Sequence, residues 1–117
     1  MKKAAVTGAA PRFYIENVEK MLGFYTSCLG FRLIRSIPDT YTMVERNGSQ
    51  LHFAKFIPRF PNRNQPQHLL WVPEIDLFYE EISQHNVKIT ETVTLRNYGN
   101  REFTMEDPEG NILTICD

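Results

Sequence analysis

Apolar residues recur along this chain in two rhythms, and each rhythm occurs twice. Within residues 17–29, Val18, Met21, Leu22 and Tyr25 fall at the three-and-four spacing of one helical face, and Gly30 follows as a stop. Ile75, Phe78, Tyr79 and Ile82 repeat those offsets, with Glu74, Asp76, Glu80 and Glu81 turned mostly to the other side. A short strand-like run precedes each helix, at residues 12–15 and 69–72, ending three residues before the first apolar helical position. Each half also closes alike: Gly48 and Gly110 are both followed three residues on by leucine (Leu51, Leu113) and two further by an apolar residue (Phe53, Ile115). Strands are predicted between them at residues 32–36, 41–46, 87–93 and 101–106, separated by the turn signals Pro38-Asp39, Asn47-Gly48, Tyr98-Gly99-Asn100 and Asp107-Pro108-Glu109-Gly110. Residues 57–66, with three prolines and no periodicity, read as a linker. The pattern predicts one α+β domain over residues 1–117, made of two βαβββ modules (11–56 and 67–117) that form a curved mixed sheet around a cleft, helices on the outer face.

Strand alternation then sorts the side chains. Phe13, Ile15, Leu51, Phe53, Leu70, Val72, Leu113 and Ile115 are assigned to the helix side. Arg12, Tyr14, His52, Ala54, Gln67, Leu69, Trp71, Thr114 and Cys116 are left facing away, a mixture of aromatic surface and a few polar groups suited to a small-molecule pocket.

Length and charge narrow the functional classes. A chain of 117 residues is the size of a single core-forming domain. With 13 basic and 14 acidic side chains it has no global field for nucleic acid or an anionic membrane, and no apolar run nears the roughly 18 residues of a membrane helix. The start, Met1-Lys2-Lys3-Ala4-Ala5-Val6, is broken by Thr7, Gly8 and Pro11 before it forms a signal sequence and reads as a short tail. Cys28 and Cys116 are too few for a disulfide scaffold and read as reduced thiols, so the expectation is a cytoplasmic protein.

Three stretches carry a family resemblance: Asn17-Val18-Glu19-Lys20-Met21-Leu22-Gly23-Phe24-Tyr25 with Leu29-Gly30-Phe31, then residues 72–81, then Arg101-Glu102-Phe103 with Asp107-Pro108-Glu109-Gly110-Asn111. Together they resemble the vicinal-oxygen-chelate superfamily of glyoxalase I, extradiol dioxygenases, fosfomycin-resistance enzymes and bleomycin-resistance proteins. These motifs report fold, not chemistry. The resemblance implies metal ligands from the first and last strand of each half, which here would be Ala10, His52, Gln67 and Thr114. One imidazole, one amide and one hydroxyl bring no anionic charge, so a divalent cofactor is disfavoured. A one-residue slip would turn His68 inward beside His52, at the cost of reversing Leu70 and Val72. The nearest likeness is then the metal-lacking bleomycin-resistance branch, which implies sequestration of a drug or metabolite, and the family implies a homodimer.

The expected ligand contacts are Arg12, Tyr14, His52, Gln67, Trp71, Arg101 and Thr114, with no catalytic residue assigned. His52 serves a ligand or merely bonds a neighbouring strand. Arg12 pairs an anionic group or is a solvated strand residue, and Tyr14 and Trp71 wall a planar ligand or simply pack. Arg101 stays open, because Phe103 and Met105 share its parity. Arg59, Phe60 and Arg63 are candidate lid residues in the linker, and Cys116 reads as inert. The competing function is a metal-dependent lyase, isomerase or dioxygenase, and a third is a regulatory interaction module.

Overall fold

The structure, a computed structural model, describes residues 2–55 and 67–117; the linker and its candidate lid residues lie outside them. The element order is β1 (Arg12–Ile15), α1 (Val18–Ser27), β2 (Arg32–Ile37), β3 (Tyr41–Arg46), β4 (Ser49–Lys55), β5 (His68–Trp71), α2 (Ile75–Ser83), β6 (Lys88–Leu95), β7 (Arg101–Glu106) and β8 (Ile112–Cys116). They form two four-stranded mixed sheets of the same topology, β1-β4-β3-β2 and β5-β8-β7-β6, with the first pair of each parallel and the rest antiparallel. The two βαβββ modules are thus as the sequence predicts.

Local chemistry sets the boundaries. Asn17 caps α1 by accepting the Lys20 N–H at 3.0 Å, and Gly30, at φ +71°, turns the chain after it. A Cβ on Gly30 would also crowd the Arg46 guanidinium at 3.0 Å, which adds to the preference for glycine set by the positive φ. Asn47 and Gly48 both adopt positive φ, the signature of a two-residue hairpin whose twist matches its strands, and they fix β3 against β4 with Arg46 opposite Ser49. Strand β2 (Arg32–Ile37) runs one residue further than expected, and it is exposed throughout, an edge strand with a bulge between Leu33 and Arg35.

The core lies between helices and sheets. Val18, Met21 and Tyr25 of α1 are buried against Phe13, Ile15, Leu51 and Phe53, while Ile75, Phe78 and Ile82 of α2 pack with Phe103, Met105, Leu113 and Ile115. Tyr25 sits 4.7 Å, ring to ring, from Phe53, and Tyr79 meets Phe103 edge-on at 5.1 Å.

Each module holds the other's helix. The phenol of Tyr25, in the last turn of α1, donates to Asp107 Oδ2 at 2.9 Å in the β7–β8 turn, and the same carboxylate accepts from the backbone of Glu109 and Asn111 and from the Asn111 amide. Glu109 accepts from the backbone N–H groups of Glu16 and Asn17. In the opposite sense Arg46, at the end of β3, forks onto both carboxylate oxygens of Glu81 in α2 at 2.8 and 2.9 Å, and its Nη1 also donates to the carbonyl of Leu29. Burial pushes the Tyr25 phenol well above its ordinary pKa, with the Asp107 charge adding to the effect, so it remains a donor.

Replacing Tyr25 by phenylalanine removes a donor from a buried carboxylate without changing the ring. We expect a loss of about 1–3 kcal/mol, read as a lower urea midpoint at unchanged slope.

Candidate functional site

The faces of the two sheets turned away from the helices carry the candidate site. Because Leu51 and Phe53 are buried under α1, His52 between them must project to the other side, and β1 pairs so that Arg12 lies opposite His52 and Tyr14 opposite Ala54. The hairpin register puts Met43 opposite His52 and Tyr41 opposite Ala54, on the same side. Over these residues opens a cavity of about 620 Å³ lined by residues 7–10 of the tail together with Arg12, Tyr14, Gly48, Gln50 and His52.

Its floor is one hydrogen-bonded chain. Arg12 Nε donates to the Tyr41 hydroxyl at 3.1 Å, and the guanidinium lies 5.3 Å above the Tyr41 ring centre. With its oxygen accepting from Arg12, the hydroxyl directs its own hydrogen to His52 Nδ1 at 2.7 Å. His52 Nε2 then carries the ring proton and donates to Gln50 Oε1 at 2.9 Å. In its neutral form the imidazole is then the Nε2–H tautomer. Its pKa is lowered, first by burial and then by the charge of Arg12. Arg12 is held in its charged form by the phenols of Tyr14 and Tyr41. Tyr41 is the hub, and sequence alternation alone did not single it out; the signal was the Asn47-Gly48 turn, whose two-residue loop dictates which β3 residues share a face with His52.

The remaining expected contacts go elsewhere. Trp71 and Leu69 face away from α2 as expected, but they stand on the second sheet, 70% and 47% exposed, and Trp71 lines a separate cleft of about 320 Å³ with Phe31, Arg46 and Phe78. Gln67 is exposed just before β5. Thr114 has the predicted parity, opposite Leu69 and Thr104, yet it is only 3% exposed and its hydroxyl has no hydrogen-bond partner among the described residues. Arg101 is on the helix side with Phe103 and Met105, where Asp117 and Asp76 take its guanidinium at 2.9 and 2.8 Å, so it does not reach the cleft. The register slip that would turn His68 inward does not occur: His68 stacks on Phe13 at 4.1 Å on the core side, and burial lowers its pKa. Burial likewise raises the pKa of the Cys116 thiol, consistent with an inert cysteine.

At the four positions where the superfamily would place metal ligands the donors do not fit a divalent cation. Ala10 has none, both ring nitrogens of His52 are engaged, Gln67 offers only an exposed, uncharged amide, and Thr114 Oγ1 is buried. Among the described residues no group of three or more His, Cys, Asp and Glu side chains is arranged to hold an ion. No helix among them is long and apolar enough to cross a membrane.

Because the folded-state pKa of His52 lies below that of an unfolded histidine, the stability it contributes is complete above about pH 6.5 and is lost as the pH falls toward the folded value. Long-range nitrogen-proton spectra should show an Nε2–H imidazole with a depressed midpoint. In Tyr41→Phe the Nδ1–H tautomer should become populated, whereas an unchanged tautomer would break the chain of donors described above.

The comparison with known proteins agrees with this architecture. The profile of the Glyoxalase/Bleomycin resistance protein/Dioxygenase superfamily matches residues 9–115. Among curated proteins none matches the sequence. Of solved structures, the fold is similar to TioX from Micromonospora sp. ML1, at a TM-score of 0.83 and 13% identity, covering 95% of this chain and 98% of that one. It is similar also to the bleomycin-binding protein of bleomycin-producing Streptomyces verticillus, solved with copper(II)-bleomycin, at 0.80 and 21%, covering 97% of each. TnmS3, an antibiotic binding protein from Streptomyces sp. CB03234, gives 0.80 and 19%, again over 97% of each. Those likenesses carry the fold, and the profile match, running through both modules, makes this chain a member of the glyoxalase/bleomycin resistance protein/dioxygenase superfamily.

Proposed function

We propose that this protein binds a small organic molecule in the cleft over its first sheet and holds it without a metal ion and without turnover, as a sequestering protein. The observation that carries this reading is the chain from Arg12 through Tyr41 and His52 to Gln50, which offers a cation, phenols and amide groups to a ligand. Catalysis by a divalent ion in this fold needs several anionic or imidazole ligands around an open position, and the donor set here lacks carboxylates. The similarity to proteins that bind bleomycin and other antibiotics points the same way.

The cleft is completed, in this reading, by a second copy of the chain in a homodimer. Trp71 and Leu69 leave a large apolar area exposed on the second sheet, where Glu91 and Glu102 keep one net negative charge after pairing with Arg96, while the first sheet presents the Arg12 cation. An apolar and acidic face suits a basic one, and bringing Trp71 of one protomer opposite Tyr14 of the other would place two aromatic walls across the cleft.

Protein purified without a histidine tag and dialysed against EDTA should bind at least one member of a panel of aromatic antibiotics that includes metal-free bleomycin. At a hundredfold excess over Kd the stabilisation is about 2.7 kcal/mol, a rise of several degrees in Tm, and the ligand should be recovered with unchanged mass. Stoichiometric nickel, zinc, manganese or iron required for binding would instead favour a metal-dependent enzyme, and a product of altered mass would establish one. Sedimentation should give a dimer that Trp71→Glu weakens.

A further inference from the structure

The arginines of this chain are not treated alike. Arg32 pairs with Glu45, Arg46 with Glu81, Arg96 with Glu91 and Glu102, and Arg101 with Asp76 and Asp117. Among the described residues only Arg12 and Arg35 have no carboxylate within ion-pair distance, and of these Arg12 lines the 620 Å³ cavity. The fold does not ask for a charge there. In the second module the residue at the equivalent place, opposite Thr114 as Arg12 is opposite His52, is Leu69. What the surroundings of Arg12 do provide is orientation: its Nε is occupied by Tyr41 and its plane lies over the Tyr41 ring, as a fork held ready for a planar or tetrahedral oxyanion requires.

The charges around His52 favour the same sign of ligand. On β1 it faces Arg12 and Tyr14, and on β3 Tyr41, Met43 and Glu45. Glu45 is committed to Arg32 and to the Gly48 N–H. On β2 the next residue of that face is Arg35, opposite Met43. The tail segment lining the cavity, residues 7–10, brings no charge.

We propose that the cleft recognises its ligand by an oxyanion, a carboxylate or a phosphate-type group seated on the Arg12 guanidinium, and that Tyr41 couples this event to His52, so that binding is accompanied by proton uptake on the imidazole. This rests on the binding role proposed above and names the class of molecule. The coupling follows from the chain itself. The charge of Arg12 disfavours His52⁺; an anion on Arg12 offsets that charge, and one proton moves from solvent to Nδ1 in a larger fraction of molecules, the Tyr41 hydroxyl then turning to accept from it. Tyr41 is in this scheme a positioning residue.

The test uses four probes of matched size, benzoate, phenylphosphonate, benzamide and benzylammonium, added to the full chain while the His52 ring signals are followed from pH 5 to 8. Benzoate or phenylphosphonate should raise the His52 midpoint by about half a pH unit, as expected for one unit charge about 6 Å away in a water-like medium. Comparison of those two distinguishes a carboxylate from a phosphate-type preference. Benzamide and benzylammonium should leave the midpoint in place. Arg12→Gln should weaken the anion at least tenfold and abolish the shift, whereas Arg35→Gln should change affinity less than threefold; equal effects would mean a diffuse basic face and overturn the assignment. Tyr41→Phe should keep most of the affinity and reduce the shift. Benzamide or benzylammonium binding as tightly as benzoate would overturn the oxyanion reading while leaving a ligand cleft in place, and so would an anion shift that survives in Arg12→Gln. Failure of the whole antibiotic panel, by contrast, bears on the binding role itself.

Discussion

The hairpin at Asn47 and Gly48 is the constraint on which the site depends. Two consecutive residues at positive φ leave β3 and β4 one way to pair, and that pairing decides every neighbour of His52. A slip of one residue would drive Leu51 and Phe53 into water and His52 under α1, so the apolar core and the polar floor enforce the same register from opposite sides. The neutral tautomer of His52, the orientation of Arg12 and the use of the Tyr41 hydroxyl as both acceptor and donor all follow from it.

Much of the fold was legible because the chain states its pattern twice. The helices predicted from Val18, Met21, Tyr25 and from Ile75, Phe78, Ile82 bury those same residues, and the strand ends move by only a few positions, β5 beginning at His68 and β6 reaching Leu95. Parity was legible for the same reason: Leu51, Phe53, Leu113 and Ile115 are buried, and His52, Leu69 and Trp71 face away from the helices.

The site was legible only within one module. Arg12, Tyr14 and His52 converge because β1 and β4 are paired neighbours, an outcome that alternation predicts. Trp71 and Thr114 do not join them, because alternation says which side of its own sheet a residue occupies and nothing about how two separate sheets are placed. Arg101 illustrates a third case, a side chain long enough to be claimed by whichever carboxylate is near, here Asp76 and Asp117 on the outer side. Tyr41 was missed because a tyrosine in a strand has no pattern of its own; it acquires a role only through a partner one strand away.

The paired clasps between modules have a further consequence. In each, the turn or strand end after the third strand of one module grips the final helical turn of the other, so the chain is internally a near-twofold pair, yet the two grips differ in kind. Tyr25 and Asp107 are both buried and beyond the reach of mobile ions, while the side chains of Arg46 and Glu81 are 30% and 40% exposed and open to screening. Ionic strength therefore acts as a one-sided lubricant. In concentrated salt the molecule should breathe at the α2 edge, beside the cleft that Trp71 shares with Arg46 and Phe78, while the α1 edge stays shut.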